Sequence, residues 1–364
     1  MSARFPHPFP FTRRQALKAA GAAAALGVTG VAQRAMAADQ ELNILVWCDH
    51  TDAALLQPFE QAHNCRLNVK DYQETGAALA ILEQSKPGDW DVFVVDSVDV
   101  RRVVDRKLLA PLDDVQLPWD DIFPELHAPE LHKIGGKTYA IPEKFGYNSI
   151  AFDRSKVQEA DVRRADIMWN PKYKGRIAVY DYYIPAIEMV GLGMGIRPDQ
   201  ITAEKLPTIR SKLLEIKKLA SVVGDVPTVQ NALVTGAADI IVAGGEFVVA
   251  GLASENPNLD WVLPDSGGIR WMQAIGIFDA SKKKDLAAEF VKYITGPDGQ
   301  ARLATATCYW AMPTNSKAAL GEKEKQRLRW NEQPGFIRNS YPYFIPDATL
   351  DKAMLEVWTE FLQA

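Results

Sequence analysis

Polar and aromatic side chains follow several apolar segments of strand length, where a protein can present chemical groups at the edge of a sheet. They occur in both halves of the chain and combine carboxylates, a histidine and aromatic rings. A carboxylate pairs with a cation, and an aromatic face attracts a cation through its π electrons. The candidate site residues of this kind are Trp47, Asp49, His50, Asp96, Ser97, Asp181, Tyr182, Tyr183 and Glu246.

The elements that would position these residues alternate as strands and helices, which indicates α/β units. Asp91–Asp96 is a continuous apolar run, as expected for a strand buried on both faces of a parallel sheet. Ligands of open α/β sheets bind beyond the carboxyl ends of the strands, so one group from each unit can line a cleft between two units. The predicted strands cover residues 42–47, 66–72, 91–96, 176–180, 239–243, 260–263 and 269–278, and the predicted helices cover residues 53–62, 98–107, 204–220 and 247–253.

Several candidates also have a purely structural interpretation. Trp47 ends an apolar run and could belong to the core. Asp96 could cap the helix that follows it, because carboxylates favour helix amino ends. His50 could be a surface or capping histidine, and Glu246 could simply begin a helix.

The tyrosine-rich segment and the last strand give more specific expectations. Tyr180–Tyr183 places three tyrosines at a strand end, which is unusual for a plain turn. Side chains alternate between the two faces of a strand. We therefore expect Trp271 and Gln273 to face the cleft and their neighbours Arg270 and Met272 to face away.

The amino-terminal segment has the pattern of a cleaved export signal. Residues 12–18 are basic, residues 19–32 are apolar without charge, and Ala35–Ala37 gives the small-x-small cleavage pattern. The apolar part is shorter than the roughly 20 residues that span a bilayer. Arg13 and Arg14 resemble a twin-arginine signal, and the ordinary Sec route remains an alternative. We expect residues 1–37 to be removed near Ala37 and the mature protein to work in the periplasm.

Charge and length restrict the classes of function. Removing residues 1–37 takes away five of the 41 basic residues and none of the 46 acidic residues, which changes the formal net charge from −5 to −10. An acidic chain is a poor candidate for nucleic-acid binding, which requires a basic face. The remaining length suits two domains at roughly 100–200 residues each. We expect a soluble mature protein without nucleic-acid partners.

The three cysteines are too few for a disulfide scaffold. Cys48 and Cys65 are predicted at opposite ends of adjacent parallel strands, where pairing is geometrically poor. Buried free thiols are the default expectation, and a bridge between Cys48 and Cys308 is the alternative.

Six sequence blocks follow one another along the chain: Leu42–Trp47, Trp90–Val92, Tyr139–Pro142, Trp169–Arg176, Gly267–Met272 and Pro313–Asn315. In this order they resemble the periplasmic spermidine/putrescine-binding proteins of ABC importers. The resemblance covers essentially the whole mature chain, and the blocks around Lys174-Gly175 and Gly267-Gly268 are the most specific.

Membership in that family implies a two-lobed type II periplasmic-binding fold, in which each lobe is a central sheet flanked by helices and the ligand cleft lies between the lobes. It implies chain crossings near Asn148–Phe152 and Trp271–Phe278, with a further return towards the carboxyl terminus. It also implies a monomer that needs no cofactor and delivers its solute to a membrane permease. The expected division is residues 38–148 and 274–320 in lobe 1, and residues 149–273 and 321–364 in lobe 2.

The chain departs from the family pattern at ligand positions. Gln273 stands where polyamine binders have an aspartate that takes an ammonium group, and Val98 replaces an expected tyrosine. Tyr182 and Tyr183 stand where further acids are expected, although Asp181 remains. A buried ammonium without a carboxylate partner costs several kcal/mol. The resemblance therefore implies an amine-bearing monocation or zwitterion, such as a γ-amino acid, rather than a long polyamine, with Tyr147, Trp271 and Trp310 as additional aromatic contacts.

Two alternatives remain at this point. Ferric ion could bind Tyr182 and Tyr183 with His50 and Asp49, because related two-lobed proteins use adjacent tyrosines for iron. A secreted enzyme is the less favoured alternative, because the sequence lacks the common nucleophile, zinc and dinucleotide motifs. We expect no catalysis.

Overall fold

A computed structural model of the protein describes residues 40–72 and 75–364. The predicted export signal therefore lies outside the described residues. The strands are β1 Gln40–Trp47, β2 Cys65–Tyr72, β3 Val92–Asp96, β4 Lys133–Ile134, β5 Lys137–Thr138, β6 Ile141–Asp153, β7 Ile177–Tyr180, β8 Ala220–Gly224, β9 Ile240–Gly244, β10 Leu259–Val262, β11 Gly268–Ile277, β12 Met312–Pro313 and β13 Ser340–Pro342.

The α-helices surround these strands. They are α1 Ala53–His63, α2 Thr75–Gln84, α3 Val100–Asp105, α4 Pro129–His132, α5 Glu159–Val162, α6 Tyr183–Gly193, α7 Leu206–Leu219, α8 Val226–Val234, α9 Glu246–Val249, α10 Lys284–Thr295, α11 Pro297–Ala304, α12 Glu322–Arg327, α13 Gln333–Arg338 and α14 Ala348–Gln363. In the part of the chain that the structure describes, none of these helices is long and apolar enough to cross a membrane.

One continuous path of paired strands connects both halves of the chain, in the order β2-β1-β3-β11-β6-β9-β7-β8. At one end β1 pairs in parallel with β2 and β3, and at the other end β7 pairs in parallel with β8 and β9. Strands β6 and β11 are antiparallel to each other and join the two ends. The mixed α/β class predicted from the sequence is confirmed.

Strand β6 takes part in both halves of the sheet. Residues 141–148 pair with β11, and residues 149–153 pair with β9 and β10. It contains 13 residues, all but the last of them buried. Its backbone therefore crosses from one half to the other without a break in strand conformation. This strand was not predicted, because Glu143 and Lys144 interrupt its apolar pattern.

The loop after β1 is fixed by a capped helix. Asp52 accepts a hydrogen bond from the Ala54 amide, which satisfies an otherwise unpaired donor at the start of α1. The helix buries Leu55, Leu56 and Phe59, and it ends at Asn64 in the left-handed conformation. The predicted helix over 53–62 is confirmed. Its packing fixes the short 3₁₀ turn Cys48–Thr51, which carries two candidate site residues.

A disulfide bond ties that same turn to a distant segment. Cys48 and Cys308 are bonded, with their Cα atoms 6.0 Å apart. The default expectation of free thiols was therefore wrong for these two residues, and the alternative pairing is confirmed. Cys65 is free and buried, as expected. The bond joins residues 260 positions apart, which local sequence patterns do not reveal.

Other predicted elements differ in detail. The helix predicted over 98–107 consists of a 3₁₀ turn at Ser97–Asp99 followed by the short helix α3. The helix predicted over 247–253 is the single turn α9. Helix α14 packs against α6 and α7, so the carboxyl terminus lies on the second half of the sheet.

Candidate ligand-binding site

Asp96 and Gln273 lie opposite each other where β3 pairs with β11. Nε2 of Gln273 donates a hydrogen bond to Oδ1 of Asp96 over 3.2 Å. Burial raises the pKa of Asp96 to about 6. Oε1 of Gln273 is buried and has no hydrogen-bond partner within the described residues. A buried acceptor without a partner is rare in folded proteins, so this atom marks a position where a ligand donor can bind.

Trp271 forms an aromatic wall with Phe247 and Tyr309. Its ring centroid lies 6.3 Å from that of each partner, in edge-to-face arrangements. The indole lies over Gly146 of β6, where an added Cβ atom would stand 2.3 Å from a ring carbon. Only glycine leaves room for this approach. Residues from three separate segments of the chain thus meet around one indole.

Two tyrosines lie near Asp96 from the second half of the sheet. Burial, together with the nearby charge of Asp96, raises the pKa of Tyr182. Burial and the neighbouring groups Tyr182, Glu188, Tyr180 and Asp96 raise the pKa of Tyr343 as well. The rings of Tyr182 and Tyr343 are 6.2 Å apart. Tyr182 keeps 40% of its surface exposed, so its ring reaches solvent.

Four ionisable side chains form a buried cluster next to the aromatic wall. Nδ1 of His50 lies 3.0 Å from Oδ1 of Asp49, and its Nε2 lies 2.7 Å from Oε2 of Glu143. The Lys144 ammonium pairs with Asp49 and lies 3.9 Å from Oε1 of Glu143. All four side chains are at most 1% exposed. We call these residues the ionic cluster.

The ionic cluster balances its own charge. Burial disfavours ionised Asp49, but the charges of Lys144 and His50 outweigh burial and lower its pKa. Burial also disfavours protonated His50, but the carboxylates of Glu143 and Asp49 outweigh it and raise its pKa. Two carboxylates therefore face two cations. Buried charges are stable when they are paired in this way.

The register of the sheet places the ionic cluster next to the Asp96–Gln273 pair, which we call the Asp96 site. Lys144 of β6 lies directly opposite Gln273 of β11. The Lys144 ammonium also lies over the ring of Tyr309, 5.1 Å from its centroid. The cluster and the unpaired Gln273 acceptor are thus neighbours on one face of the sheet.

Two more predicted residues line the first half of the sheet near Asp96. Trp47 packs 5.3 Å from Tyr72, and its Nε1 is a buried donor without a partner among the described residues. Oγ of Ser97 lies 3.0 Å from Nε2 of His132. Burial lowers the pKa of His132 to about 4, so its ring is neutral at pH 7. Nδ1 of that ring donates a hydrogen bond to a backbone carbonyl, so Nε2 accepts a hydrogen bond from the Ser97 hydroxyl.

The structure turns Tyr147 away from the Asp96–Gln273 pair, and it places the Glu246 carboxylate beside the Trp271 indole, where both lie over Gly146. The Tyr147 hydroxyl donates to Oε1 of Gln333 over 2.9 Å, and its ring stacks 5.8 Å from Trp261. Strand alternation turns it to the face opposite Gly146. Glu246 is fully buried and accepts the Tyr147 amide hydrogen, and burial raises its pKa well above the ordinary value. It supports the strand beneath Trp271.

Three more predicted site residues contact other parts of the chain: Asp181, Tyr183 and Trp310. Asp181 accepts from Nε1 of Trp358, and the Tyr183 hydroxyl donates to Asp351, both on helix α14. Of the Tyr182–Tyr183 pair, only Tyr182 therefore lies near Asp96. Trp310 packs against Gly251 and the guanidinium of Arg327. Its neighbour Tyr309 is the residue that meets Trp271.

Four residues near the site were not predicted from the sequence: Glu143, Lys144, Tyr309 and Tyr343. A signal existed for the first two, because adjacent charges inside an otherwise apolar strand must find partners when buried. Tyr309 follows Cys308, so the disulfide that holds it could have indicated its position. Tyr343 approaches the site from a segment 70 residues after Gln273 and gives no local signal.

With this geometry established, known proteins provide a comparison. Residues 54–333 match the family described as bacterial extracellular solute-binding protein, which is more than half of the chain. The chain belongs to that family. Among curated relatives, a spermidine/putrescine-binding periplasmic protein from Haemophilus influenzae is 21% identical over 315 residues, which cover 85% of this chain and 86% of the relative. The family resemblance found in the sequence is confirmed.

Solved structures show the same fold. A spermidine/putrescine ABC transporter substrate-binding protein from Streptococcus pneumoniae matches with a TM-score of 0.77 and 19% identity, covering 89% of this chain and 99% of that one. A structure described as a GABA receptor matches with a TM-score of 0.67 and 18% identity, covering 88% of this chain and 96% of that one. The predicted two-lobed periplasmic-binding fold is confirmed.

Proposed function

We propose that this protein is the solute receptor of an ABC importer and binds a small amine-bearing monocation or zwitterion in the crevice beside Asp96. The ammonium group pairs with Asp96, the carbonyl oxygen of Gln273 accepts a second hydrogen bond, and the rings of Trp271 and Tyr182 cover the alkyl part. The observation that carries the proposal is the pairing of partly buried Asp96 with buried Gln273 beside the aromatic wall.

The charge balance of the site supports a single ammonium group. Asp96 makes no ion pair within residues 40–72 and 75–364, whereas Asp49 and Glu143 are paired inside the ionic cluster. A ligand ammonium therefore finds Asp96 without a counter-charge, while burial raises the pKa of Glu246 beside Trp271 and disfavours a second negative charge there. A second ammonium would meet the already neutral cluster, and a buried cation without a partner is costly.

Unpaired polar atoms support a ligand with further polar groups. Nε1 of Trp47 is a donor and Oε1 of Gln273 is an acceptor, and both are buried without protein partners among the described residues. A donor of this kind suits the carboxylate or hydroxyl oxygen of a zwitterion. Cation–π contacts with the aromatic rings add roughly 0.5–2 kcal/mol each.

The continuous strands β6 and β11 support binding by lobe closure. We propose the division into residues 38–148 with 274–320 and residues 149–273 with 321–364, because β6 changes pairing partners at residues 148–149. Asp96 and Tyr182 lie in different lobes of this division. A ligand that contacts both stabilises the closed state, which docks on the permease. The predicted export signal supports a periplasmic location, and the curated relatives are described as periplasmic proteins.

The ferric-ion alternative gains no support from the geometry. The Tyr183 hydroxyl is bound to Asp351, and His50 and Asp49 are bound within the ionic cluster. Among the described residues, no group of three or more histidine, cysteine, aspartate and glutamate side chains could hold a metal ion.

Isothermal titration calorimetry with matched ligands tests the proposal. The mature protein is titrated with n-butylamine, γ-aminobutyrate, putrescine, spermidine and ferric citrate. We expect n-butylamine or γ-aminobutyrate to bind more tightly than putrescine or spermidine. Tightest binding of spermidine, or binding of ferric citrate alone, would contradict the proposal.

A further inference from the structure

Lys144 occupies one end of the proposed crevice with a butylammonium group that belongs to the protein itself. Its side chain is 1% exposed. Its ammonium pairs with Asp49, lies 3.9 Å from Glu143 and stands over the ring of Tyr309. These are the partners that a ligand ammonium would require: carboxylates and an aromatic face.

We propose that Lys144 is the specificity-determining residue that excludes diamines by acting as a built-in second ammonium. The inference rests on the proposed amine-binding function and identifies the residue that limits the ligand to one cationic end. Lys144 lies directly opposite Gln273, which holds Asp96, so the built-in ammonium and the ligand ammonium belong to the same crevice.

Lys144 excludes a second ammonium through both its charge and its volume. Without Lys144, the carboxylates of Asp49 and Glu143 would face His50 as their remaining partner in the ionic cluster. An anionic position would then lie beside the Asp96 site, with space left by the missing side chain. A diamine could place its second ammonium in that space. With Lys144 present, the space is filled and the charge is already balanced.

The test compares n-butylamine with putrescine, which differ by one ammonium group on the same four-carbon chain. Calorimetry measures both affinities for the wild type and for Lys144→Ala. We expect the ratio of putrescine affinity to n-butylamine affinity to rise about tenfold or more in the variant. An unchanged ratio in a folded variant would overturn the proposal.

Two further variants separate charge from space. Lys144→Met removes the charge but fills the volume, so its gain for putrescine should be smaller than that of Lys144→Ala. The double variant Lys144→Ala/Asp49→Asn leaves the space but removes one carboxylate, so the putrescine gain should be lost. If the double variant keeps the full gain, the ionic cluster does not determine specificity and the proposal fails.

Lys283 offers a matched control, because it also pairs with a buried aspartate, Asp91, at a distance of 3.4 Å. Asp91 precedes β3 and lies at the opposite end of that strand from Asp96. Lys283→Ala should leave the affinity ratio unchanged. A tenfold rise in this variant too would show that the effect is not specific to the crevice and would overturn the proposal.

A fallback applies if Lys144→Ala shows no cooperative melting. Asp49→Asn leaves Lys144 with less compensation and makes the crevice more positive, so n-butylamine affinity should fall about tenfold. No change would overturn the proposal. Absence of any amine binding by the wild type would instead show that the proposed function itself is wrong.

Discussion

Asp96→Asn should stabilise the ligand-free protein at neutral pH while it weakens amine binding. Burial raises the pKa of Asp96 from 3.8 to about 6. A pKa shift of one unit corresponds to roughly 1.4 kcal/mol. At neutral pH, ionised Asp96 therefore lowers the free energy of unfolding by about 3 kcal/mol. Asparagine keeps the oxygen that accepts from Gln273 but carries no charge. The variant therefore avoids most of this cost.

The pH dependence follows from the raised pKa. Between pH 3.8 and about 6, folded Asp96 keeps its proton while the unfolded chain has released it. The stability of the wild type relative to the variant therefore falls as pH rises through this window. Above about pH 7 both states are ionised, so the advantage of Asp96→Asn is constant. Below pH 3.8 both states are protonated and the advantage disappears.

Urea unfolding of the ligand-free proteins between about pH 4 and pH 8 measures this difference. Asp105→Asn, an exposed aspartate at the end of α3, is the control and should change stability by less than about 0.5 kcal/mol. The reasoning is refuted if Asp96→Asn is less stable than the wild type at pH 7.5. It is also refuted if its advantage grows on acidification.

Binding by the same variant should change in the opposite direction. Loss of the carboxylate removes the charge partner of the ligand ammonium, so we expect about a 30-fold weaker affinity for n-butylamine at pH 8. The wild-type affinity should fall as pH is lowered through about 6, because Asp96 takes up a proton while the amine remains charged. The variant should lack this pH dependence. Equal affinities of the wild type and Asp96→Asn for n-butylamine at pH 8 would show that Asp96 does not pair with the ligand.

Three other substitutions or treatments test separate parts of the structure. Trp271→Ala should weaken n-butylamine binding by about 1–2 kcal/mol, because a cation–π contact is lost. Trp271→Phe should retain part of this binding free energy. Equal calorimetric affinities for the wild type and Trp271→Ala would contradict the role of the aromatic wall. Reduction of the Cys48–Cys308 bond should lower the free energy of unfolding by about 2–4 kcal/mol in urea, and an unchanged midpoint after dithiothreitol would argue against the bond. Tyr147→Phe should lower the free energy of unfolding by about 1 kcal/mol, because the hydrogen bond to Gln333 is lost. Its amine affinity should not change. Weaker amine binding by this variant would show that Tyr147 contacts the ligand.

Much of the fold was predictable because its patterns are local. Burial on both faces makes β3 a continuous apolar run, and the amphipathic spacing of Leu55, Leu56 and Phe59 predicts α1. The rule that ligands bind beyond strand carboxyl ends selected Asp96 correctly as a residue at a strand end. Strand alternation also predicted that Gln273 and Arg270 point to different sides: Gln273 bonds Asp96, and Arg270 bonds the Ile337 carbonyl.

The composition of the site was less predictable because its decisive contacts join distant segments. Asp49 pairs with Lys144 across 95 positions, and this pairing removes Asp49 from the set of carboxylates available to a ligand. Tyr183 follows Tyr182 directly, yet its hydroxyl is bound to Asp351 on α14. Neither outcome has a local pattern, since each depends on which element packs against the residue.

The sequence by itself determined the α/β class, the family and the strand ends where polar residues gather, because hydrophobic periodicity and turn positions depend on neighbours along the chain. The tertiary structure alone decided which carboxylates form ion pairs, which tyrosines lie near Asp96 and which cysteines are bonded. The register of β6 against β11 sets Lys144 beside Gln273 and leaves Asp96 without an ion pair among the described residues. Charge neutralisation depends on distance in space, and sheet register, not sequence separation, fixes that distance.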